Sequence, residues 1–109
     1  MNLDKETQEK IQELQGYEQN LHGLLMQKQA FQMELSESEN ALSEISSSKD
    51  DVFKLVGSIM IKASKENVIK EINTRKDLLM LRLKSIEKQE SELTKQMEEL
   101  RDDVMKKIK

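Results

Sequence analysis

One histidine and several pairs of adjacent acids are the residues of this sequence that carry groups for acid–base or metal chemistry. His22 is the single histidine, and the paired acids include Glu98-Glu99 and Asp102-Asp103. Carboxylates act as general acids or bases where a pocket desolvates them and holds a substrate, whereas these pairs stand among other charged residues. The sequence has no cysteine, no Gly-rich phosphate loop and no His/Cys spacing that would hold a metal. We therefore expect an exposed His22, no enzyme activity, no metal and no cofactor.

Composition favours long, partly solvated helices over a compact domain. The chain has 109 residues with no proline or tryptophan, 3% aromatic and 36% charged, whereas a compact core needs more large apolar side chains. The net charge is −3, and lysines alternate with acids, so the sequence offers no basic face for nucleic acid. No stretch is apolar enough to span a membrane, and the N-terminus lacks the apolar core of a secretory signal. We expect a soluble cytoplasmic protein that binds neither nucleic acid nor membrane.

Apolar residues recur at alternating spacings of three and four in both halves of the chain, which predicts two coiled-coil helices. The first seam is Leu14, Tyr17, Leu21, Leu24, Lys28, Phe31, Leu35, Ser38, Leu42, Ile45, Lys49 and Val52. The second is Ile69, Ile72, Lys76, Leu79, Leu83, Ile86, Glu90, Leu93, Met97, Leu100, Val104 and Lys107. An amphipathic helix on a globular core is the alternative, and it would tolerate a drift from about 3.5 towards 3.6 residues per turn.

Polar residues interrupt both seams, and we expect them to penalise slipped registers. They are Lys28, Ser38, Lys49, Lys76 and Glu90. Because the two helical halves are nearly equal and flank residue 57, they predict an antiparallel pair whose opposed residue numbers sum to about 114. Leu21 would then face Leu93.

Helical periodicity fails in the segment 51–64, where β-branched and other apolar residues dominate. Gly57-Ser58 fits a two-residue hairpin turn with glycine at its first central position, and Ser64 fits the N-cap of a second helix. The sequence thus predicts one domain over residues 1–109. Its parts are an N-terminal helix (1–50), a β-hairpin (51–64) and a C-terminal helix (65–109).

Both faces of the predicted hairpin are largely apolar, and the helices can cover only one. A lone two-stranded hairpin is marginal in water, and its edges invite pairing. Hairpins from several chains could close an inter-subunit β-barrel that removes the edges. The predicted fold is therefore mainly α, an antiparallel two-helix coiled coil with an assembly hairpin. The expected assembly residues are Val52, Phe53, Leu55, Val56, Gly57, Ile59, Met60, Ile61 and Ala63.

The stretch "DVFKLVGSIMIKASKENV" (51–68) resembles the central signature of the prefoldin family, and "LRLKSIEKQESELTKQMEEL" (81–100) resembles its second helix. One hairpin between two arms is similar to the β class, in its archaeal form. The resemblance implies a hetero-hexamer of two α-type subunits and four β-type copies of a chain like this one. It also implies a chaperone that holds non-native client proteins without ATP and delivers them to a group II chaperonin.

Apolar residues near the two chain ends are the expected client contacts, because fraying helix ends have low local stability and expose side chains. These residues are Leu3, Ile11, Leu14, Leu100, Val104, Met105 and Ile108. An ordinary frayed helix end is the alternative interpretation. For the whole chain, the alternatives are a structural tether that assembles through its hairpin and a nucleic-acid binder that uses an antiparallel arm.

Overall fold

The computed structural model of the chain describes residues 4–108. Helix α1 spans Lys5–Ser47, strand β1 spans Val52–Val56, strand β2 spans Ile59–Ala63 and helix α2 spans Lys65–Ile108. The predicted pair of long helices joined by a short antiparallel hairpin is confirmed. The described residues fall into two compact units, one holding 30–83 and the other holding the residues up to Gln29 with those from Lys84 onward.

The hairpin has the predicted tight turn, with Gly57 and Ser58 between the strands. Gly57 has a φ of 62°, a left-handed conformation that glycine adopts without steric cost. Ser58 does not share the positive φ, so the turn matches type II′ and not type I′. The strands pair from Val52 opposite Ala63 to Val56 opposite Ile59, which is the register that the turn predicts.

In the unit that holds residues 30–83, the C-terminal end of α1 and the N-terminal end of α2 adjoin the hairpin. Helix α2 begins directly after Ser64, whose carbonyl oxygen accepts a 3.0 Å hydrogen bond from the Val68 N–H. Ser64 is therefore the N-cap, as predicted. The Lys65 Nζ donates a 2.8 Å hydrogen bond to the Ser48 carbonyl oxygen, which satisfies a backbone acceptor just past the end of α1.

Contacts between α1 and α2 in this unit show an antiparallel pair. The Arg75 guanidinium lies 3.4 Å from the Glu34 carboxylate and the Lys76 Nζ lies 3.9 Å from that of Glu39. The Arg82 guanidinium stacks over the Phe31 ring, 5.7 Å from its centroid. Phe31 and Lys76 are themselves seam positions. The most deeply buried side chains of this unit come from the α2 seam, at Leu79 and Leu83.

In the other unit, the early residues of α1 contact the late residues of α2. Glu6 contacts Lys107 and Lys28 contacts Glu90, which is again the order of an antiparallel pair. The buried apolar side chains of this unit are Ile86, Met97 and Val104.

The predicted seams match the burial pattern over nearly their whole length. From Leu14 to Ile45 in α1 and from Ile69 to Val104 in α2, every predicted seam position is buried or half-buried. The predicted first seam extends beyond the helix, because α1 ends at Ser47. Lys49 lies exposed in the connection and Val52 is in β1, where the strand and not the helix sets its surroundings.

Candidate assembly and binding surfaces

The first hairpin face carries Phe53, Leu55, Met60 and Lys62. Phe53 pairs with Lys62, and Leu55 pairs with Met60, so these four side chains share one side of the sheet. Leu55 is 68% exposed and Met60 is 70% exposed. Large apolar side chains at these fractions form a contiguous surface, which marks a protein interaction site when it belongs to a folded element.

The second hairpin face carries three cross-strand pairs, in which Val52 is opposite Ala63, Lys54 is opposite Ile61 and Val56 is opposite Ile59. The helices cover little of this face, because Val52 and Ala63 are half-buried and the other four residues are exposed. The Lys54 Nζ lies 2.8 Å from a Glu71 carboxylate oxygen, which ties the hairpin to α2.

Both outer edges of the hairpin lack a neighbouring strand within residues 4–108, where the sheet has two strands. Each edge therefore presents backbone N–H and C=O groups that can pair with another chain. A two-stranded sheet with two apolar faces and two open edges is at best marginally stable alone in water. The predicted assembly residues thus lie together on one small, exposed element.

The predicted client-contact residues fall into three groups by exposure. Val104 is buried, at 6% exposed, and its side chain is part of the seam. Met105 is 48% exposed and Ile108 is 36% exposed, so they present apolar surface in the closed helix pair. Ile11, Leu14 and Leu100 are half-buried, and Leu3 lies outside the described residues.

Ionic contacts close the end of the helix pair, and the sequence reasoning missed them. The Lys107 Nζ lies 3.2 Å from a Glu6 carboxylate oxygen and 4.0 Å from one of Asp4. The hydrogen bond from Lys107 lowers the pKa of the Glu6 carboxyl, and the same contact raises the pKa of Lys107. The seam spacing places Lys107 in the second seam, although a basic residue in the last turn of a helix signals a C-terminal charge contact.

Asp4 caps the N-terminus of α1. Its Oδ1 accepts a 2.7 Å hydrogen bond from the Thr7 N–H, and Thr7 is itself buried. The hydrogen bonds from Thr7, followed by the charges of Lys107 and Lys10, lower the pKa of the Asp4 carboxyl. An aspartate just before a helical pattern is a readable N-cap signal, so this contact was available from the sequence.

The sequence offered one histidine and several paired acids for acid–base or metal chemistry. His22 is exposed on α1, as expected. Among residues 4–108, no three His, Cys, Asp or Glu side chains stand close enough together to hold a metal ion. Neither described helix has an apolar run of the length that crossing a membrane needs.

Two long helices joined by an exposed two-stranded hairpin define a hairpin-bearing coiled-coil chain. The chain belongs to the prefoldin family, since a family model described as "Prefoldin subunit" matches residues 8–109. It is 36% identical to the prefoldin subunit beta of Thermococcus kodakarensis, over 91% of this chain and 86% of that one. It is 39% identical to the prefoldin subunit beta of Saccharolobus islandicus, over 90% of this chain and 79% of that one.

A solved structure agrees with these sequence matches. The crystal structure of the prefoldin beta subunit from Thermococcus strain KS-1 superposes with a TM-score of 0.89 at 34% identity, covering 96% of this chain and 94% of that one. The predicted resemblance to prefoldin β is thus confirmed. Membership of the family supports a chaperone-type function and implies assembly with other prefoldin subunits.

Proposed function

We propose that this chain is a subunit of an ATP-independent holdase, which captures non-native proteins at its helix ends and passes them to a group II chaperonin. The assembly is a hexamer in which two α-type subunits join four copies of this chain, and it acts in the cytoplasm. No bond is made or broken in this function, so it needs neither catalytic residues nor a cofactor.

The assembly part of the proposal rests on the hairpin, whose apolar faces and open edges lie exposed on a folded chain. Such a surface is stable only if other subunits cover it, and closing several hairpins into a barrel pairs every edge. The residues proposed for this role are Val52, Phe53, Leu55, Val56, Gly57, Ile59, Met60, Ile61 and Ala63. The client-binding part rests on the exposed Met105 and Ile108 at the end of α2.

Several helix ends must act together, because each one offers a client only a small apolar surface. Met105 and Ile108 present apolar surface at the end of α2, and Leu3, Ile11, Leu14, Leu100 and Val104 complete the proposed set. A few hundred Å² of apolar contact at ~25 cal/mol per Å² contributes only several kcal/mol before ordering costs. Several arms on one body make later contacts intramolecular, which raises avidity without any new chemistry.

A structural tether is the second candidate function, and the closed helix end favours it. Val104 is buried, and Lys107 bridges to Asp4 and Glu6 across the two helices. An end that stays closed exposes less apolar surface to a client than a frayed one does.

Light scattering from an aggregating, chemically denatured protein separates the two candidates. The chain is assembled with an α-type partner and mixed with the denatured protein without nucleotide. Suppression of scattering at near-stoichiometric amounts supports the holdase, whereas unchanged scattering with a verified hetero-oligomer supports the tether.

A further inference from the structure

A groove of about 520 Å³ lies along one flank of the helix pair, in the unit that contains both helix ends. Leu24 of α1 and Leu93 of α2 are seam residues that contribute its apolar floor. Gly23 forms part of the wall, and a Cβ atom at this position would meet no other atom within 4 Å. The missing side chain at Gly23 therefore leaves room beside the seam.

Carboxamide side chains form most of the remaining lining. They are Gln19, Asn20, Gln27, Gln89 and Gln96. Glu92 is the one charged residue that lines this groove as described, although 36% of the whole sequence is charged. A groove of similar size, about 550 Å³, lies on the other flank of the α2 seam and is charged, with Lys28, Glu87, Lys95 and Glu98 among its lining residues. The carboxamide lining is thus a property of one flank and not of the chain in general.

Carboxamides are suited to bind a peptide backbone. Each one has an N–H donor pair and a carbonyl acceptor, as the peptide group itself has a donor and an acceptor. A folded helix or sheet has already paired its backbone N–H and C=O groups internally. The carboxamides at the rim of the groove therefore find no free backbone groups in it to hydrogen-bond. An extended segment of a non-native chain has those groups free and also offers apolar side chains to the floor.

We propose that this groove binds an extended segment of a non-native polypeptide, as a second contact beside the helix ends. The inference rests on the proposed holdase function and adds a client surface to it. From Gln19 to Gln27 the helix rises about 12 Å, which an extended chain covers in about three to four residues. The near absence of charge leaves the groove without preference for acidic or basic segments, as a chaperone with many clients requires.

Gly23 and Gly16 provide a matched pair of variants for the test. At both positions a Cβ meets no atom within 4 Å, but only Gly23 lines the groove. Gly23→Arg places a long side chain in the groove, while Gly16→Arg brings the same charge and the same gain in helix propensity outside it. Gln27→Glu combined with Gln89→Glu is a second variant, which keeps the side-chain size and charges the rim.

Photocrosslinking in the complete assembly with an α-type partner measures binding directly. Because the chain has no cysteine, Asn20→Cys labelled with benzophenone maleimide is a unique probe in the groove. Reduced, carboxamidomethylated lysozyme serves as the permanently unfolded client. We expect Gly23→Arg and the double Glu variant to lower the crosslinked yield at least about threefold, a change of about 0.7 kcal/mol, and Gly16→Arg to leave it unchanged.

Three other outcomes overturn the inference, and the experiment distinguishes them. If the unaltered assembly captures the unfolded lysozyme but Gly23→Arg crosslinks it equally well, the groove proposal fails and the holdase proposal stands. Crosslinks to another copy of this chain in place of the lysozyme would assign the groove to subunit contact. If the unaltered assembly captures no unfolded lysozyme, neither by crosslinking nor in the scattering assay, both proposals fail.

Discussion

The Lys28 Nζ lies 3.2 Å from a carboxylate oxygen of Glu90, and both residues occupy seam positions of the helix pair. Each side chain is about a quarter exposed, so the pair is partly desolvated. The two interruptions that the sequence shows in separate seams are therefore one contact between α1 and α2. A charged pair at this depth adds little to stability by itself, but any slipped register would leave each charge without its partner.

Removing one member of this pair is expected to cost more than removing both. Lys28→Met leaves the Glu90 carboxylate half-buried and unpaired, which lowers the free energy of unfolding by about 1–2 kcal/mol. Lys28→Leu combined with Glu90→Leu is expected to equal or exceed the stability of the unaltered chain, because it extends the apolar seam. Urea unfolding followed by circular dichroism measures both. A single variant as stable as the unaltered chain would show that the ion pair does not restrain the helices.

Gly57 is the position where the hairpin depends most on one residue. Its φ of 62° costs a residue with a Cβ about 1–2 kcal/mol, so Gly57→Ala is expected to weaken the hairpin and the assembly proposed to form through it. Ser58→Ala is the matched control, because Ser58 lies in the same turn without a positive φ, so a Cβ there carries no such cost. Sedimentation velocity with an α-type partner measures the assembly. Equal assembly by Gly57→Ala and Ser58→Ala would contradict the proposed role of Gly57 in the turn.

The contacts at the helix ends predict a response to acid. Asp4 and Glu6 have pKa values below their ordinary 3.8 and 4.5 in the folded chain, so the contacts contribute fully above that range and are lost as the pH falls through the lowered values. An NMR titration of the Thr7 N–H is expected to show a midpoint below 3.8. Asp4→Asn keeps a capping side chain and should remove this transition. A midpoint at or above 3.8 in the unaltered chain would contradict the cap geometry.

Much of the fold was predictable, because the buried positions of a coiled coil recur at a regular spacing in the sequence. The positions from Leu14 to Ile45 are half-buried as the spacing requires, and alternation around Gly57 fixed both faces of the hairpin. The predicted end of α1 lies a few residues past the observed end, because Lys49 and Val52 continue the spacing and periodicity does not show where backbone hydrogen bonding stops. The contact between Glu6 and Lys107 depends on how two long side chains orient toward each other across the helix pair. The spacing of seam residues does not predict that orientation.

Two neighbouring residues of the proposed client-contact set differ in burial, so an experiment can separate packing from client contact. Val104 is 6% exposed, whereas Met105 beside it is 48% exposed. Val104→Ser is therefore expected to destabilise the helix pair by about 1–2 kcal/mol through lost apolar burial. Met105→Ser combined with Ile108→Ser removes only exposed surface, so it should leave stability within about 0.5 kcal/mol. If the proposed client surface is right, the variant should still reduce the capture of an unfolded protein by the assembly with an α-type partner.

Urea unfolding and light scattering on the same preparations test this separation. Met33→Ser is the control, because Met33 is an exposed methionine of α1 in the other unit and its loss should change neither measurement. Unchanged capture by the Met105 and Ile108 variant, in an intact assembly, would remove these two residues from the proposed client surface. The same loss of capture in Met33→Ser would mean that apolar surface in general, and not the helix ends, holds the client.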